Sequence, residues 1–550
     1  MLDVPELRLQ IFRYLWISDV RPIRLVCKTW YPEADQVTWE SIETLPPLLR
    51  LLPEDAWEQD MDTYSDMLAG SRSFPIAIRI KRALSPGDWA AVVERARFVK
   101  KYRASSMLKC GEDVFAAIVA SPPPCVPLLS GLQTATLHFS YYRGRASFYK
   151  TFFDLLVPHI YITTLDCTAD EELIPDPGVS LSRYSNLRSI RLNLEPGKYA
   201  DSHTHIVPPW PTFVFDESHK PAQRYDVQFL RALERCPKLR DVNLKTDAQA
   251  SLILLRTLSR NPTVQSLVLR YDADRGARYF AAELHSPSYS FPAFPALREL
   301  TIKGLKLADA RRLLTSSSTR IPLEKIVIER HLYASRSDEF FIADKEELLD
   351  MLELVCTQLE GYRSLRVLRL EGNSTEAYPF TLRDLRPLSV FSEIREINLT
   401  MPLAPSLVDA DCEIIAGWWP RLEVLMMGDE DIGDEGDAKC SLRGLLYIVA
   451  RCPYLTDLHL PLDASVIPKV EPAPGDAHPP YQNLKLLYIG DAPIVDTEGV
   501  AQFLKTIFPR LRTLKYTWYG DHDDIDRRQA AWKRVVESVT GVAADDPLWL

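Results

Sequence analysis

A six-residue pattern, φ-x-x-φ-x-φ, in which φ is an apolar residue and x any residue, recurs along most of the chain. Its fourth and sixth positions are apolar and alternate with polar ones, which is typical of a short strand with one buried face. A period of roughly 20–50 residues indicates a stacked repeat architecture. Strong copies mostly begin 25 to 33 residues apart, at Leu187, Leu239, Val264, Leu297, Leu323, Leu365, Ile394, Leu422, Leu455, Leu484 and Leu511, after two weaker copies at Leu132 and Ile162.

A helix-like stretch that ends at a proline precedes many copies of the pattern, as in Ile448–Pro453 and Phe503–Pro509. Proline cannot continue a helix, and it disfavours the helical conformation for the residue before it. The predicted unit is therefore helix, proline, strand. Stacked units of this kind would place a parallel sheet on one face and helices on the other, so we predict an α/β fold.

The pattern resembles leucine-rich repeats in an irregular, long-unit form. That resemblance implies a parallel solenoid shaped as a horseshoe with irregular repeats. The family's usual Asn or Cys ladder after the strand is absent from the sequence. Segments rich in Pro, Gly, His or acidic residues interrupt the repeats, and we predict that they are surface loops: Glu195–Tyr225, Gly428–Lys439 and Asp463–Pro480.

The first forty or so residues follow a helical pattern instead. Leu7, Ile11, Phe12 and Leu15 form an apolar stripe at helical spacing, and Ile23–Trp30 supplies a second apolar set. A helical module of this size buries little surface, so we expect it to gain stability from a partner or from docking on the repeats. A plain helical cap that seals the end of the solenoid is the alternative interpretation.

This module resembles an F-box through Val4-Pro5-Glu6-Leu7, Leu9-Gln10-Ile11-Phe12, Leu25-Val26-Cys27-Lys28 and Trp30. The continuation Leu45–Pro53 resembles the segment after the F-box in proteins greatly multiplied in basidiomycete fungi. We therefore expect an F-box-like helical module at 1–42, a linker and capping region at 43–125, and an irregular leucine-rich-repeat-like domain at 126–550.

The resemblance implies the substrate-recognition subunit of an SCF (Skp–cullin–F-box) ubiquitin ligase. Such a subunit is not an enzyme and needs no cofactor: its F-box binds a Skp-type adaptor, and through it the cullin–RING ligase, while its repeats bind the target protein. From the residues alone, each apolar side chain could face either its own core or a partner. The residues that the resemblance places at the adaptor interface are Pro5, Ile11, Leu15, Leu25, Val26 and Trp30. The alternative function is an interaction scaffold outside any ubiquitin ligase.

Polar positions next to the buried strand positions should face the concave surface of the repeats. Cations there would suit an acidic or phosphorylated target segment, although an exposed strand face can also be simply polar. The predicted basic stripe consists of Arg191, Lys245, Arg270, Lys303 and Arg369. Farther along, a second and more apolar patch is predicted at Met426, His459, Tyr488 and Lys515.

The composition narrows the function further. A formal net charge of −10 argues against general binding to nucleic acid or anionic membrane. Neither a long apolar run nor a signal-peptide pattern is present, and the nine cysteines are scattered without a Cys-x-x-Cys pair, so we expect reduced thiols in the cytoplasm or nucleus. Phosphate-binding glycine loops and hydrolase motifs are absent. His203-x-His205 lacks further ligands nearby, so no metal site is predicted.

Overall fold

The computed structural model divides the chain into two compact units, Met1–Val264 and Gln265–Leu550, and each contains strands and helices. The α/β class predicted from the repeat is confirmed. The residues that the structure describes are 4–60, 77–103, 112–138, 157, 161–170, 184–195, 233–234, 236–245, 255–271, 294–315, 321–329, 345–359, 364–371, 378–401, 403–428, 439–469, 481–490, 492–516 and 523–541.

Strands of the N-terminal unit are β1 Ser41–Ile42, β2 Trp57–Asp60, β3 Ala77–Ile80, β4 Lys101–Arg103, β5 Thr134–His138, β6 Thr164–Asp170, β7 Ser189–Glu195 and β8 Asp241–Lys245. The strands β1, β4, β5, β6, β7 and β8 pair in this order, all parallel, while β2 and β3 form a separate antiparallel pair. The two weaker copies of the repeat contribute β5 and β6. The parallel sheet therefore begins upstream of the predicted repeats, at β1.

The helices of this unit whose bounds lie among the described residues are α1 Pro5–Tyr14, α2 Ile17–Val26, α3 Tyr31–Glu40, α4 Pro46–Leu49, α5 Ala90–Ala96 and α6 Glu112–Ala120, with a 3₁₀ turn at Pro86–Trp89. Proline occupies the first turn of α1 and of α3, where no intrahelical N–H bond is lost. Immediately before α5, Trp89 is fully buried. The helix α5 is thus anchored to the core at its first turn.

The C-terminal unit continues the repeat. Its strands are β9 Ser266–Arg270, β10 Glu299–Lys303, β11 Lys325–Glu329, β12 Val367–Glu371, β13 Tyr378–Phe380, β14 Glu396–Thr400, β15 Leu403–Pro405, β16 Val424–Met427, β17 Asp457–His459, β18 Leu486–Tyr488 and β19 Thr513–Lys515. All pair in parallel in one order along the chain, except that β13 and β15 form a small parallel pair of their own. The fourth positions of successive repeats are register partners, in the row Leu267, Leu300, Ile326, Leu368, Ile397, Leu425, Leu458, Leu487 and Leu514.

Helices of the C-terminal unit are α7 Leu307–Thr315, α8 Lys345–Leu359, α9 Leu382–Leu385, α10 Asp409–Trp418, α11 Leu442–Arg451, α12 Thr497–Ile507 and α13 Asp523–Thr540. The predicted punctuation by proline is confirmed: α11 ends one residue before Cys452-Pro453, and α12 ends one residue before Phe508-Pro509. The predicted loops fall mainly on 196–232, 429–438 and 470–480, which lie outside the described residues.

In several repeats, the residue before the proline that ends the helix carries a side-chain donor, and this donor reaches the end of the preceding helix. Asn261 Nδ2 donates to the carbonyls of Leu233 and Cys236 at 3.3 and 3.2 Å. Trp419 Nε1 donates to Leu388 O at 3.2 Å, and Cys452 Sγ donates to Trp419 O at 3.4 Å. Each of these carbonyls also accepts from the backbone N–H three residues later, so the side chain supplies a second donor at the helix end. Side-chain hydrogen bonds therefore connect successive helix ends, although the sequence has no repeating Asn or Cys after the strands.

Replacing Asn261 with alanine should test these helix-end hydrogen bonds. Asn261 is buried, and its Oδ1 also accepts from the backbone N–H of Thr263, so the change removes several hydrogen bonds at a buried position. We expect a loss of about 2–3 kcal/mol in the free energy of unfolding, measured by urea denaturation. Asn483→Ala is the matched control, because exposed Asn483 makes a similar bond to Pro453 O and should lose less than about 1 kcal/mol. Equal losses in the two variants would contradict the structural role of Asn261.

Candidate functional site

The helices α1, α2 and α3 enclose a small core of their own. Phe12, Val20, Ala34 and Val37 form its buried cluster, and Leu9, Ile23 and Trp30 pack against that cluster. A nearly buried ion pair adds to it, since Arg8 Nη2 of α1 lies 2.7 Å from Glu33 Oε1 of α3. The module thus has an interior that is complete without the outward-facing residues of α1 and α2.

Those outward-facing residues are strongly apolar. Leu25 is 89% exposed and Val26 is 73% exposed at the end of α2, and Trp16 between α1 and α2 is 81% exposed. Soluble monomers rarely expose large contiguous apolar patches, and such patches mark interaction sites. We call this set the N-terminal apolar surface: Val4, Leu7, Ile11, Tyr14, Leu15, Trp16, Ile17, Leu25, Val26 and Tyr31.

The residues predicted for adaptor binding divide between this surface and the core. Ile11, Leu15, Leu25 and Val26 belong to the N-terminal apolar surface, and Pro5 beside them is exposed. The sixth, Trp30, is instead half-buried, with its ring centroid 6.1 Å from that of Phe12. Trp30 therefore contributes mainly to the stability of the helical module.

Several residues of the N-terminal apolar surface were not among those predicted to bind the adaptor. Val4 and Leu7 extend the stripe of Ile11 along α1, and Tyr14 and Trp16 flank Leu15 where α1 ends. The signal for Tyr14 and Trp16 was the unbroken run Tyr14-Leu15-Trp16-Ile17, since four consecutive large apolar side chains cannot all enter one small core.

Beside this surface, Cys27 caps the end of α2. The hydroxyl of Thr29 lies 2.8 Å from its sulfur, and this bond, with backbone N–H groups of Thr29 and Trp30, lowers the pKa of the Cys27 thiol. Hydrogen bonds to the charged form stabilise a thiolate. The apolar surface therefore borders a sulfur that is more acidic than an ordinary cysteine.

In the N-terminal unit, the predicted cations Arg191 and Lys245 lie on neighbouring strands β7 and β8. Arg191 is a register partner of Asn243, and Lys245 of Asn193, so the two cations occupy different rows of the sheet. Arg191 Nη1 lies 3.5 Å from Asp166 Oδ2 on the preceding strand. The charge of Arg191 is thus partly offset from within the sheet.

In the C-terminal unit, Arg270 and Lys303 are register partners on β9 and β10. Lys303 forms an ion pair with Glu329 of the next strand, and Arg369 forms one with Glu396. Glu371 also lies near Arg369. Carboxylates therefore alternate with the predicted cations, so the stripe is not continuously basic on this part of the sheet.

The centre of the second predicted patch is buried. Met426, His459, Tyr488 and Lys515 do lie in one register row, as the repeat required. However, His459 and Tyr488 are buried, with their ring centroids 4.0 Å apart. Gly428 closes over the histidine, because a Cβ built there would lie 3.3 Å from His459 Cε1. His459 and Tyr488 are thus removed from solvent, whereas Met426 and Lys515 at the two ends of the row are partly exposed.

No protein-family model matches the chain, and no curated protein matches it either. Function must therefore be inferred from the geometry of the chain itself. Within the part that the structure describes, no three His, Cys, Asp or Glu side chains are grouped to hold a metal ion. Each helix in that same part is too short or too polar to cross a membrane.

Charge changes on the N-terminal apolar surface should leave the fold intact. Leu25→Asp and Val26→Asp place carboxylates on exposed positions, so we expect each to change the free energy of unfolding by less than about 0.5 kcal/mol. Phe12→Ala is the contrast, since removing this buried ring should cost about 3–5 kcal/mol. Urea denaturation followed by circular dichroism measures both. Large destabilisation by the aspartate variants would mean that Leu25 and Val26 are covered by the chain itself.

His459 should make the protein sensitive to acid. Burial, reinforced by the charge of Lys515, lowers the pKa of His459 from 6.5 to about 3, and neither ring nitrogen has a hydrogen-bond partner among the described residues. The unfolded state therefore binds more protons between these two values, so stability falls as pH falls from 6.5 towards 3. Relative to pH 7, we expect His459 to account for a loss of about 2 kcal/mol at pH 5.

The variant His459→Phe should remove this contribution to the pH dependence of urea denaturation. Tyr488→Phe keeps the histidine and the ring contact, so its pH dependence should match the native chain. A slope between pH 7 and pH 5 that His459→Phe leaves unchanged would show that the histidine is hydrated in solution.

Proposed function

We propose that this chain is a substrate-recognition subunit of an SCF-type ubiquitin ligase. In this proposal the N-terminal apolar surface binds a Skp-type adaptor, and through it the cullin–RING ligase, while the repeats bind a target protein. The chain itself performs no chemistry: it raises the effective concentration of the target near the ubiquitin-charged enzyme. Such a subunit would act in the cytoplasm, the nucleus or both.

The exposure of Leu25 and Val26 is the observation that carries the proposal. These residues belong to the Leu-Val-Cys-Lys segment on which the F-box resemblance depends, and their own helical module does not need them for its core. Burying a side chain of this kind contributes about 1.5–3 kcal/mol, so several of them together favour association with an apolar partner.

A scaffold outside any ubiquitin ligase is the rival function. It would use the same repeats, but it has no need for an open apolar face on α1 and α2. The rival would gain support if the repeats covered Val26 or Trp30; instead Val26 is open, and Trp30 packs on the core of its own helices. The ligase proposal therefore accounts for more of the described surface.

Target recognition by the repeats depends on which cations on the strands are open to a target. Ion pairs within the sheet engage Arg191, Lys303 and Arg369, so an acidic target segment would have to compete with Asp166, Glu329 and Glu396. Arg270 is exposed, and it forms no ion pair within the described part of the chain. We therefore place any contact with an acidic segment near Arg270 rather than along the whole predicted stripe.

Binding of the full chain to a purified Skp-type adaptor tests the function. We expect Leu25→Asp combined with Val26→Asp to weaken adaptor binding at least about 100-fold, measured by calorimetry, because charged groups would be buried at the centre of an apolar interface. Leu15→Asp combined with Val26→Asp should behave in the same way, since Leu15 is also on the surface.

Val495→Asp is the matched control, because Val495 is a comparably exposed apolar residue in the C-terminal unit. It should bind the adaptor as the native chain does. A well-folded native chain that does not bind the adaptor would rule out the ligase proposal and leave the scaffold. Equal binding by the native chain and the double variants would place the adaptor elsewhere.

A further inference from the structure

The helical module that carries the N-terminal apolar surface is joined to the sheet without a spacer. Helix α3 ends at Glu40, and β1 begins at the next residue, Ser41. Strand β1 then pairs with β4, in the register Ser41 to Lys101 and Ile42 to Tyr102. Beyond β1, Leu48 and Leu49 of α4 are buried, so the chain that leaves the module enters the core directly.

A buried carboxylate on α3 joins two helices on either side of it. Asp35 Oδ1 lies 2.8 Å from Arg24 Nη2 of α2, and Asp35 Oδ2 lies 2.8 Å from Arg95 Nε of α5. Trp39 Nε1 also donates to Asp35 Oδ1 at 3.2 Å. The Asp35 side chain is only 4% exposed, so water screens these interactions weakly. Since α5 belongs to the sheet-forming part of the unit, Asp35 links the module to it.

A second carboxylate does the same at the end of α3. Arg13 Nε of α1 donates to Glu40 Oε2 at 3.0 Å, and Lys100 Nζ donates to Glu40 Oε1 at 2.6 Å. The backbone N–H of Lys100, one residue before β4, donates to Glu40 O at 2.9 Å. Although burial opposes it, the bonds from Arg13 and Lys100 lower the pKa of Glu40, so this link is charged at neutral pH.

We infer that Asp35 and Glu40 are positioning residues, which lock the helices of the N-terminal apolar surface to the first strands of the N-terminal unit. Each carboxylate is paired with a cation on the module, Arg24 or Arg13, and with a cation on the sheet side, Arg95 or Lys100. Opening either link would therefore separate a partly buried ion pair. A partner bound at α1 and α2 is then held at one orientation to the parallel strands β1 and β4.

The consequence for a bound adaptor rests on the proposed function, whereas the rigidity itself does not. Pulsed electron resonance between spin labels at Gln10 of α1 and Gln133 before β5 measures it in the full chain without any partner. Both glutamines are exposed, and labels attached through non-natural amino acids leave the nine native cysteines untouched. We expect one narrow distance distribution in the native chain.

Asp35→Asn combined with Glu40→Gln should make that distribution about twofold broader, because both links are lost while the covalent connection remains. Glu58→Gln is the matched control: it removes an exposed ion pair with Lys81 in the same unit and should leave the width unchanged. Lys100→Met removes the sheet-side partner of Glu40 and alters no residue of α1–α3, so it should broaden the distribution even if the double variant loses helix content by circular dichroism.

Adaptor affinity separates positioning from a role in folding alone. None of the substituted residues belongs to the N-terminal apolar surface, so Lys100→Met should bind the adaptor within about twofold of the native chain while its distance distribution broadens. A native distribution that is already broad, or Lys100→Met and double variants that stay as narrow as the native chain, would overturn the inference. Absence of adaptor binding by the native chain would refute the proposed function and leave the distance result standing.

Discussion

In-register pairing of short parallel strands is the interaction on which both units depend. Strands such as β10 and β11 are five residues long and bury their apolar positions only because a neighbour lies on each side. A single repeat of this kind cannot bury its hydrophobic face alone, so stability comes from the interfaces between neighbours. The register row from Leu267 to Leu514 is kept although the segments between the strands vary in length.

Proline and the residue before it explain why such irregular units still stack. Proline follows α10, α11 and α12, and these helices end at the same distance from the following strand. In several repeats the side chain before the proline reaches carbonyls of the previous helix end. An amide, an indole and a thiol do this at Asn261, Trp419 and Cys452. The position therefore requires a buried donor of suitable reach, not one residue type, which is why no repeating Asn or Cys is visible along the chain.

The balance between burial and exposure differs at the N-terminal end. Helix α1 carries two apolar stripes, one with Phe12 and one with Leu7 and Ile11, and a core built by three short helices covers only the first. The second stripe remains in water, as do Leu25 and Val26 at the end of α2. The carboxylates of Asp35 and Glu40 form ion pairs with Arg95 and Lys100. The helices that carry the exposed surface are therefore linked to the sheet by these ion pairs as well as by the chain.

Local patterns were enough to predict the α/β class, the strand positions and the helix ends, because alternation and proline act over a few residues of the chain. They also identified the outward residues Ile11, Leu15, Leu25 and Val26 as interface candidates through the F-box resemblance. They placed Trp30 there as well, although its ring packs beside Phe12, and they did not single out Tyr14 and Trp16, which flank Leu15 where α1 ends.

Other properties arise only where distant parts of the chain meet. The cations Lys303 and Arg369 are paired by carboxylates some 26 and 27 residues away, Glu329 and Glu396, and His459 is buried under Gly428, which belongs to an earlier repeat. Asp35 and Glu40 form ion pairs with Arg95 and Lys100, which lie roughly 60 residues later in the sequence. The sequence by itself determined which residues form each strand and helix, because those choices depend on near neighbours. Tertiary structure alone decided which charges are compensated and which apolar face stays open, because both depend on what long-range packing brings into contact.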